Sequence, residues 1–200
     1  TAFIDDMIAR VEAGGAAALP FYTPMMGEGG FAKVLQPGGP GQPVLADVLI
    51  NTQIMLNAEE RRGEFEQMGI PVIQAMTHRR GDEAEWAASQ QGVAIMDVPF
   101  YMAQAEYAGV TDIQVASATR KGDEQIMPIA PQSAAVAAKA LNLVKLQRKP
   151  NADKQVAVMF WNYPAGEKNL SASFLNVPRS LQSTLAGMAA DGLPYTGFLY

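Results

Sequence analysis

The chain has 200 residues, 48% hydrophobic and 18% charged, with no Cys and a single histidine, His78; that is enough apolar material for a sizeable core and excludes wholesale disorder. Absent thiols and a lone imidazole exclude disulfide scaffolds, thiolate zinc sites, iron–sulfur clusters, cysteine nucleophiles and a multi-histidine metal site within one chain. The net charge of −5 comes without a basic cluster, which argues against nucleic acid, and no apolar run reaches the ~18 residues of a membrane span.

The first segment, TAFIDDMIAR, has acids where a signal peptide needs a basic flank. With no cysteine and no targeting segment, a cytoplasmic protein is expected. The chain starts at Thr1 rather than Met, so a trimmed chain or a piece of a longer one is expected. Phe3, Ile4, Met7, Ile8 and Val11 recur at helical spacing, and Gly14-Gly15 end that helix. LPFYTP (19–24) reads as a short strand, and QPGGPGQP (36–43) as an irregular connection.

VLADVLINT (44–52) and IPVIQAMTH (70–78) read as buried strands, separated by a helix over 59–69 that closes on Gly69. A further helix is predicted over 82–92, with acids in its first turn and Gly92 after its last. Residues 93–110 carry no clear period. Two strands around a glycine turn follow in 112–130, then a helix capped by Ser133 and running to Arg148. This alternation predicts an α/β fold in three layers, a mostly parallel sheet flanked by helices.

RKPNADK (148–154) is the best boundary, dividing an α/β domain over 1–150 from the start of a second α/β unit over 154–200. In that unit QVAVMF (155–160) reads as a buried strand and Pro178 opens a helix running to Gly192. The 11 Met residues are scattered and read as core filler.

Several motifs fail. GEGGFA (27–32) matches a loose dinucleotide fingerprint, but the prolines and glycines from Pro37 to Pro40 leave no room for the helix it needs. No G-x-x-x-x-G-K-[ST] is present, so the chain brings no Walker-type ATP site, and no G-x-S-x-G elbow supports a serine nucleophile.

The connection from the strand at 155–160 to the helix at Pro178 is WNYPAGEKNLSASFLNV. It is far longer than the ~2–6 residues such loops usually take. It leaves the C-terminal end of a strand and meets a helix start, where open α/β sheets bind ligands and backbone N–H groups favour anions. Asn162 and Asn176 can equally tie down a turn and cap a helix.

The block FWNYPAGEKNLSASFLNVPRSL (160–181) resembles the N-Y-P-x-G-x-x-N signature of the cobaltochelatase and magnesium-chelatase large-subunit family. Its continuation G-E-K-N-L-S-A-S-x-L-N-V-P-x-S is more similar to the cobalt branch. DVLINT (47–52), IPVIQAM (70–76), EAEWAASQQGV (83–93) and AEYAG (105–109) resemble upstream family blocks in the same order. Ala105 stands where the family usually has proline before the glutamate that matches Glu106.

The resemblance implies a fragment of a much longer large subunit, or a divergent short relative of it. That subunit would bind a corrin-type macrocycle for insertion of cobalt, the substrate metal. No tightly bound cofactor is implied, and ATP would be hydrolysed on partner subunits. Asn162, Tyr163, Gly166, Glu167, Lys168, Asn169, Ser171 and Asn176 would bind the substrate, with Lys168 pairing an acid arm. A base must accept the ring protons. His78, following the strand 70–76, and Glu106, matching the family's Pro-Glu block, are the two catalytic candidates. Neither belongs to a resident metal site. The alternatives are a non-catalytic α/β ligand-binding module and a magnesium- or nickel-directed relative.

Overall fold

The computed structural model describes residues 1–23, 30–110, 112–159 and 175–193, and residues 171–172 by their backbone. It divides into two compact units, Thr1–Val144 and Lys145–Tyr200.

The first unit is built on a four-stranded sheet in the order β1-β2-β3-β4: β1 Leu49–Asn51, β2 Val72–His78, β3 Asp112–Thr119 and β4 Ile126–Pro128. The first three strands are parallel and β4 is antiparallel to β3. The central strand β2 is buried from Ile73 to Thr77, as a parallel strand covered on both faces should be. A bulge between Met76 and Thr77 shifts its register on β3.

One face of the sheet is covered by α1 (Ala2–Ala13) and α6 (Ala130–Arg148), where Phe3, Met7, Val136, Ala137 and Ala140 pack on Ile73, Ala75 and Ala116. The other is covered by α2 (Gly30–Leu35), α3 (Ala58–Met68) and α5 (Gln104–Tyr107), around Phe31, Leu35, Phe65, Met68, Ala105 and Ala108. This is the expected three-layer α/β arrangement. The predicted helices at 3–13 and 59–69 are α1 and α3. Gly69 stops α3 with φ 64°, a conformation that costs glycine nothing.

Several expected elements differ. Residues 19–23 form no strand; Pro20 has no N–H for a ladder, and Phe21 packs edge-on against Phe31 at 6.4 Å. Of 44–52 only β1 is paired, because β2 begins at Val72, opposite Leu49. The helix expected over 82–92 is the shorter α4, Glu83–Ala88. Its start is fixed by an Asp82–Glu85 capping box, but it has no buried residue, so no packing extends it. Ser133 is not the cap of α6: the helix starts at Ala130, with Pro131 in its first turn, and Ser133 lies fully buried inside it.

Residues 93–110, without a clear period, contain a π-helical segment, Val98–Ala103, running directly into α5. In the second unit, a short 3₁₀ turn at Asn151–Asp153 precedes a two-residue antiparallel ladder, β5 (Ser171–Ala172) with β6 (Leu175–Asn176). Helix α7 spans Val177–Ala190, where Pro178 led it to be expected. The strand expected over 155–160 is absent from 155–159: a buried strand needs hydrogen-bonded neighbours, and here Val156 and Met159 stand exposed. Among the described residues no helix is long and apolar enough to cross a membrane.

Candidate functional site

The C-terminal ends of the parallel strands are Asn51, His78 and Thr119. Buried amides close the β1–β2 end. Asn51 Nδ2 donates to Gln74 Oε1 at 2.7 Å and to the Gln53 carbonyl at 2.8 Å. Gln74 Nε2 donates to the same carbonyl at 2.8 Å, and the Gln53 N–H donates to Asn51 Oδ1 at 3.3 Å. Such a connected network repays the burial of its polar atoms. At the β2–β3 end the buried hydroxyls of Thr77 and Ser117 share a bond of 2.9 Å.

His78, the last residue of β2, is half-buried, and its carbonyl accepts the Thr119 hydroxyl at 3.3 Å. The next residue, Arg79, reaches the hydroxyl of Tyr101 in the π-helical segment. Burial pushes the Tyr101 phenol up from its ordinary value, and the guanidinium only partly opposes that. The same segment is held from below by Met55, whose N–H donates to the Phe100 carbonyl at 3.2 Å. Pi-helical turns are often found at functional sites.

A second polar centre lies between α2 and α3. Arg61 is 3% exposed; its guanidinium pairs with Glu64 at 2.9 Å and Glu60 at 2.7 Å, and stacks over the Phe31 ring at 5.6 Å. Glu64 Oε2 accepts the Phe31 N–H, while its Oε1 is buried without a hydrogen-bond partner. Burial raises the Glu64 pKa, outweighing the pull of Arg61 and the backbone N–H groups. At the start of α3, Asn57 to Glu60 with Gln104 and Tyr107 line an open cleft of about 520 Å³. Among the described residues no three His, Cys, Asp or Glu side chains converge to hold a metal ion.

Against known proteins, the family model described as CobN/Magnesium Chelatase matches residues 1–196. The chain belongs to the CobN/magnesium chelatase family. An uncharacterized protein of Methanocaldococcus jannaschii is 26% identical over 179 residues, which make up 78% of this chain and 14% of that protein. The catalytic subunit of cobaltochelatase from Mycobacterium tuberculosis shares the fold, with a TM-score of 0.75 at 20% identity. That match covers 99% of this chain and 17% of the other. The chain therefore spans well under a fifth of the length of either relative.

Within this family member, the residues singled out from sequence fall in three places. Asn162, Tyr163, Gly166, Glu167, Lys168 and Asn169 lie outside the described residues, and Ser171 is described only as the first residue of β5. Asn176 caps α7: its side chain accepts the Arg179 N–H at 3.1 Å. Glu106 sits on α5 with its side chain exposed, while its neighbours Gln104 and Tyr107, not Glu106, line the cleft. His78 is at the sheet edge beside Arg79.

Sequence reasoning passed over Tyr101, the amide network and the Arg61–Glu64 pair. A signal for the pair was present: Ala58, Arg61, Glu64, Phe65 and Met68 are all buried and follow the spacing of one helix face.

Proposed function

We propose that this chain is part of the macrocycle-binding large subunit of a cobalt-directed chelatase. Its substrates are divalent cobalt and a corrin-type ring on the route to cobalamin. Partner subunits hydrolyse the ATP, and the chain itself holds no tight cofactor and works in the cytoplasm. The observation that carries this reading is the block 160–181, with its cobalt-branch continuation, in a chain of the CobN/magnesium chelatase family.

Metal insertion replaces ring protons by the metal, so the site needs a base and a means of holding the ring's acid and amide arms. His78 and Glu106 are the acceptors in this reading; a half-buried imidazole at a sheet edge and an exposed carboxylate can both take a proton. Lys168 pairs a carboxylate arm, and Asn162, Tyr163, Gly166, Glu167, Asn169, Ser171 and Asn176 bind the rest of the ring's periphery.

The test is made on the large subunit assembled with its ATPase partners. Lys168→Ala and Glu167→Ala should leave the melting temperature nearly unchanged and lower the rate of cobalt insertion. Full insertion activity in both variants, and in Asn162→Ala, would overturn the binding loop. Insertion of magnesium but not cobalt would replace the cobalt reading by its magnesium relative.

A further inference from the structure

In the second unit the run QVAVM (155–159) has the composition of an interior strand and the surroundings of a loop. From Val156 to Met159 it is apolar without a break, the pattern of a parallel strand covered on both faces rather than of one with a wet side. Yet the whole run is exposed. Val156 is 54% exposed and Val158 48%, and Met159, which an extended chain turns to the opposite side, is 81% exposed. No described strand pairs with the run; β5 and β6 pair with each other.

Helix α7 repeats the pattern. Val177, Leu181, Leu185 and Met188 follow the spacing of one helix face. Val177 is buried, but the other three are only half-buried. An apolar strand and an amphipathic helix are the parts of an α/β layer, and such a layer needs further strands before it has a core.

The chemistry of the run selects its occupant. Its backbone N–H and C=O groups call for an extended partner, and side chains on both sides call for apolar cover; a small ligand supplies neither. Strand edges left open to solvent normally carry a charge or a proline against aggregation, and 155–159 carries neither. The chain spans only 17% and 14% of its two relatives, so a polypeptide of that kind has ample further chain to supply the partner.

We infer that residues 155–159 are an interior strand of a sheet whose neighbouring strands come from the part of the same polypeptide outside these 200 residues. This rests on the reading of the chain as part of a longer large subunit. Because the run leads in sequence directly into the block 160–181, the added sheet anchors one end of the substrate-binding segment of that reading.

The test is hydrogen–deuterium exchange, read by mass spectrometry on the 200-residue chain and on the large subunit that contains it. In the 200-residue chain the amides of 155–159 should exchange at the unprotected rate. In the large subunit they should slow by at least about 100-fold, as paired strand amides do. Val158→Asp puts a charge on a face the sheet buries. It should abolish that protection in the large subunit and leave the melting temperature of the 200-residue chain unchanged. If the large subunit does not fold with aspartate, Val158→Thr, which keeps the shape and adds a hydroxyl, should reduce the protection instead.

Unprotected exchange at 155–159 in both proteins would overturn the inference. Equal protection in both would do the same, because the partner would then lie within the 200 residues. Protection in the 200-residue chain that disappears on dilution would overturn it in favour of a second copy. Cobalt insertion by the assembled large subunit is measured separately: protection without insertion keeps the inference and removes the chelatase reading, and insertion without protection does the reverse.

Discussion

Arg61 and Glu64 show how a charged pair can occupy core positions. On α3 they share one face with Ala58, Phe65 and Met68, and folding that face inward takes both charges with it. The pair is not a net gain over an apolar pair, but removing one partner strands the other. Arg61→Ala should therefore lower the unfolding free energy by about 3–5 kcal/mol, read from urea denaturation. The milder Glu64→Gln isolates titration. Burial holds the folded Glu64 above the ordinary value of 4.5, so the folded state keeps its proton where the unfolded chain has lost it. The resulting stability is fully present below 4.5 and is lost as the pH rises through the folded-state value. Wild type should thus lose stability relative to Glu64→Gln as the pH rises above 4.5, read from urea denaturation over a pH series.

Asp6 titrates in the opposite sense. Burial would raise it, but hydrogen bonds from Arg10 and Ser133 together hold it below 3.8. Its contribution is present above 3.8 and disappears as the pH falls through the folded-state value. The Ser133 hydroxyl, 2.8 Å from Asp6, joins α6 to α1. Ser133→Ala should cost about 1–2 kcal/mol at neutral pH and show a smaller further loss in acid than wild type, measured by denaturation at both pH values.

At the scale of elements, the cap of α7 separates structure from binding at one residue. The Asn176 side chain accepts the Arg179 N–H, and Pro178 needs no partner in the first turn. Asn176→Ala should cost about 1 kcal/mol, while Asn176→Asp, an equally good cap, should keep the melting temperature. If Asn176 also contacts the substrate, the Asp variant should still lose affinity, because it replaces an amide donor by a carboxylate.

What was legible follows from the same physics. The strands β2 and β3 and the helices α1, α3 and α7 were readable because each has a local signal: a continuous apolar run, a helical period, a stop glycine or a proline start. The π-helical turn was not, since its i to i+5 spacing matches neither period and Pro99 interrupts the run. The run 155–159 misled because its strand-like composition has no paired neighbour in the described residues. Its companion at 44–52 was over-extended for a similar reason, since pairing with β2 limits β1 to Leu49–Asn51. For the site, a block of side chains at 160–181 was legible as a family signature. The Arg79–Tyr101 contact joins residues apart in sequence and only folding brings it into view.

For the whole molecule, the composition and the fold lead to one expectation about metal. A resident zinc site needs about four nitrogen, sulfur or oxygen ligands in tetrahedral array. The chain offers one imidazole and no thiolate. The imidazole stands at the end of β2 with Arg79 and Arg80 following, cations that repel a divalent ion. Of the carboxylates at the start of α4, Asp82 caps the helix and Glu85 pairs with Lys121. Metal handled as a substrate must in any case be released into the ring, which a four-ligand protein site would oppose. Calorimetric titration with zinc or cobalt should therefore show no site tighter than about 1 μM, and His78→Ala should leave the titration unchanged. A tighter site lost in that variant would make His78 a metal ligand and remove it as a proton acceptor, since a coordinated imidazole nitrogen cannot take the ring's proton.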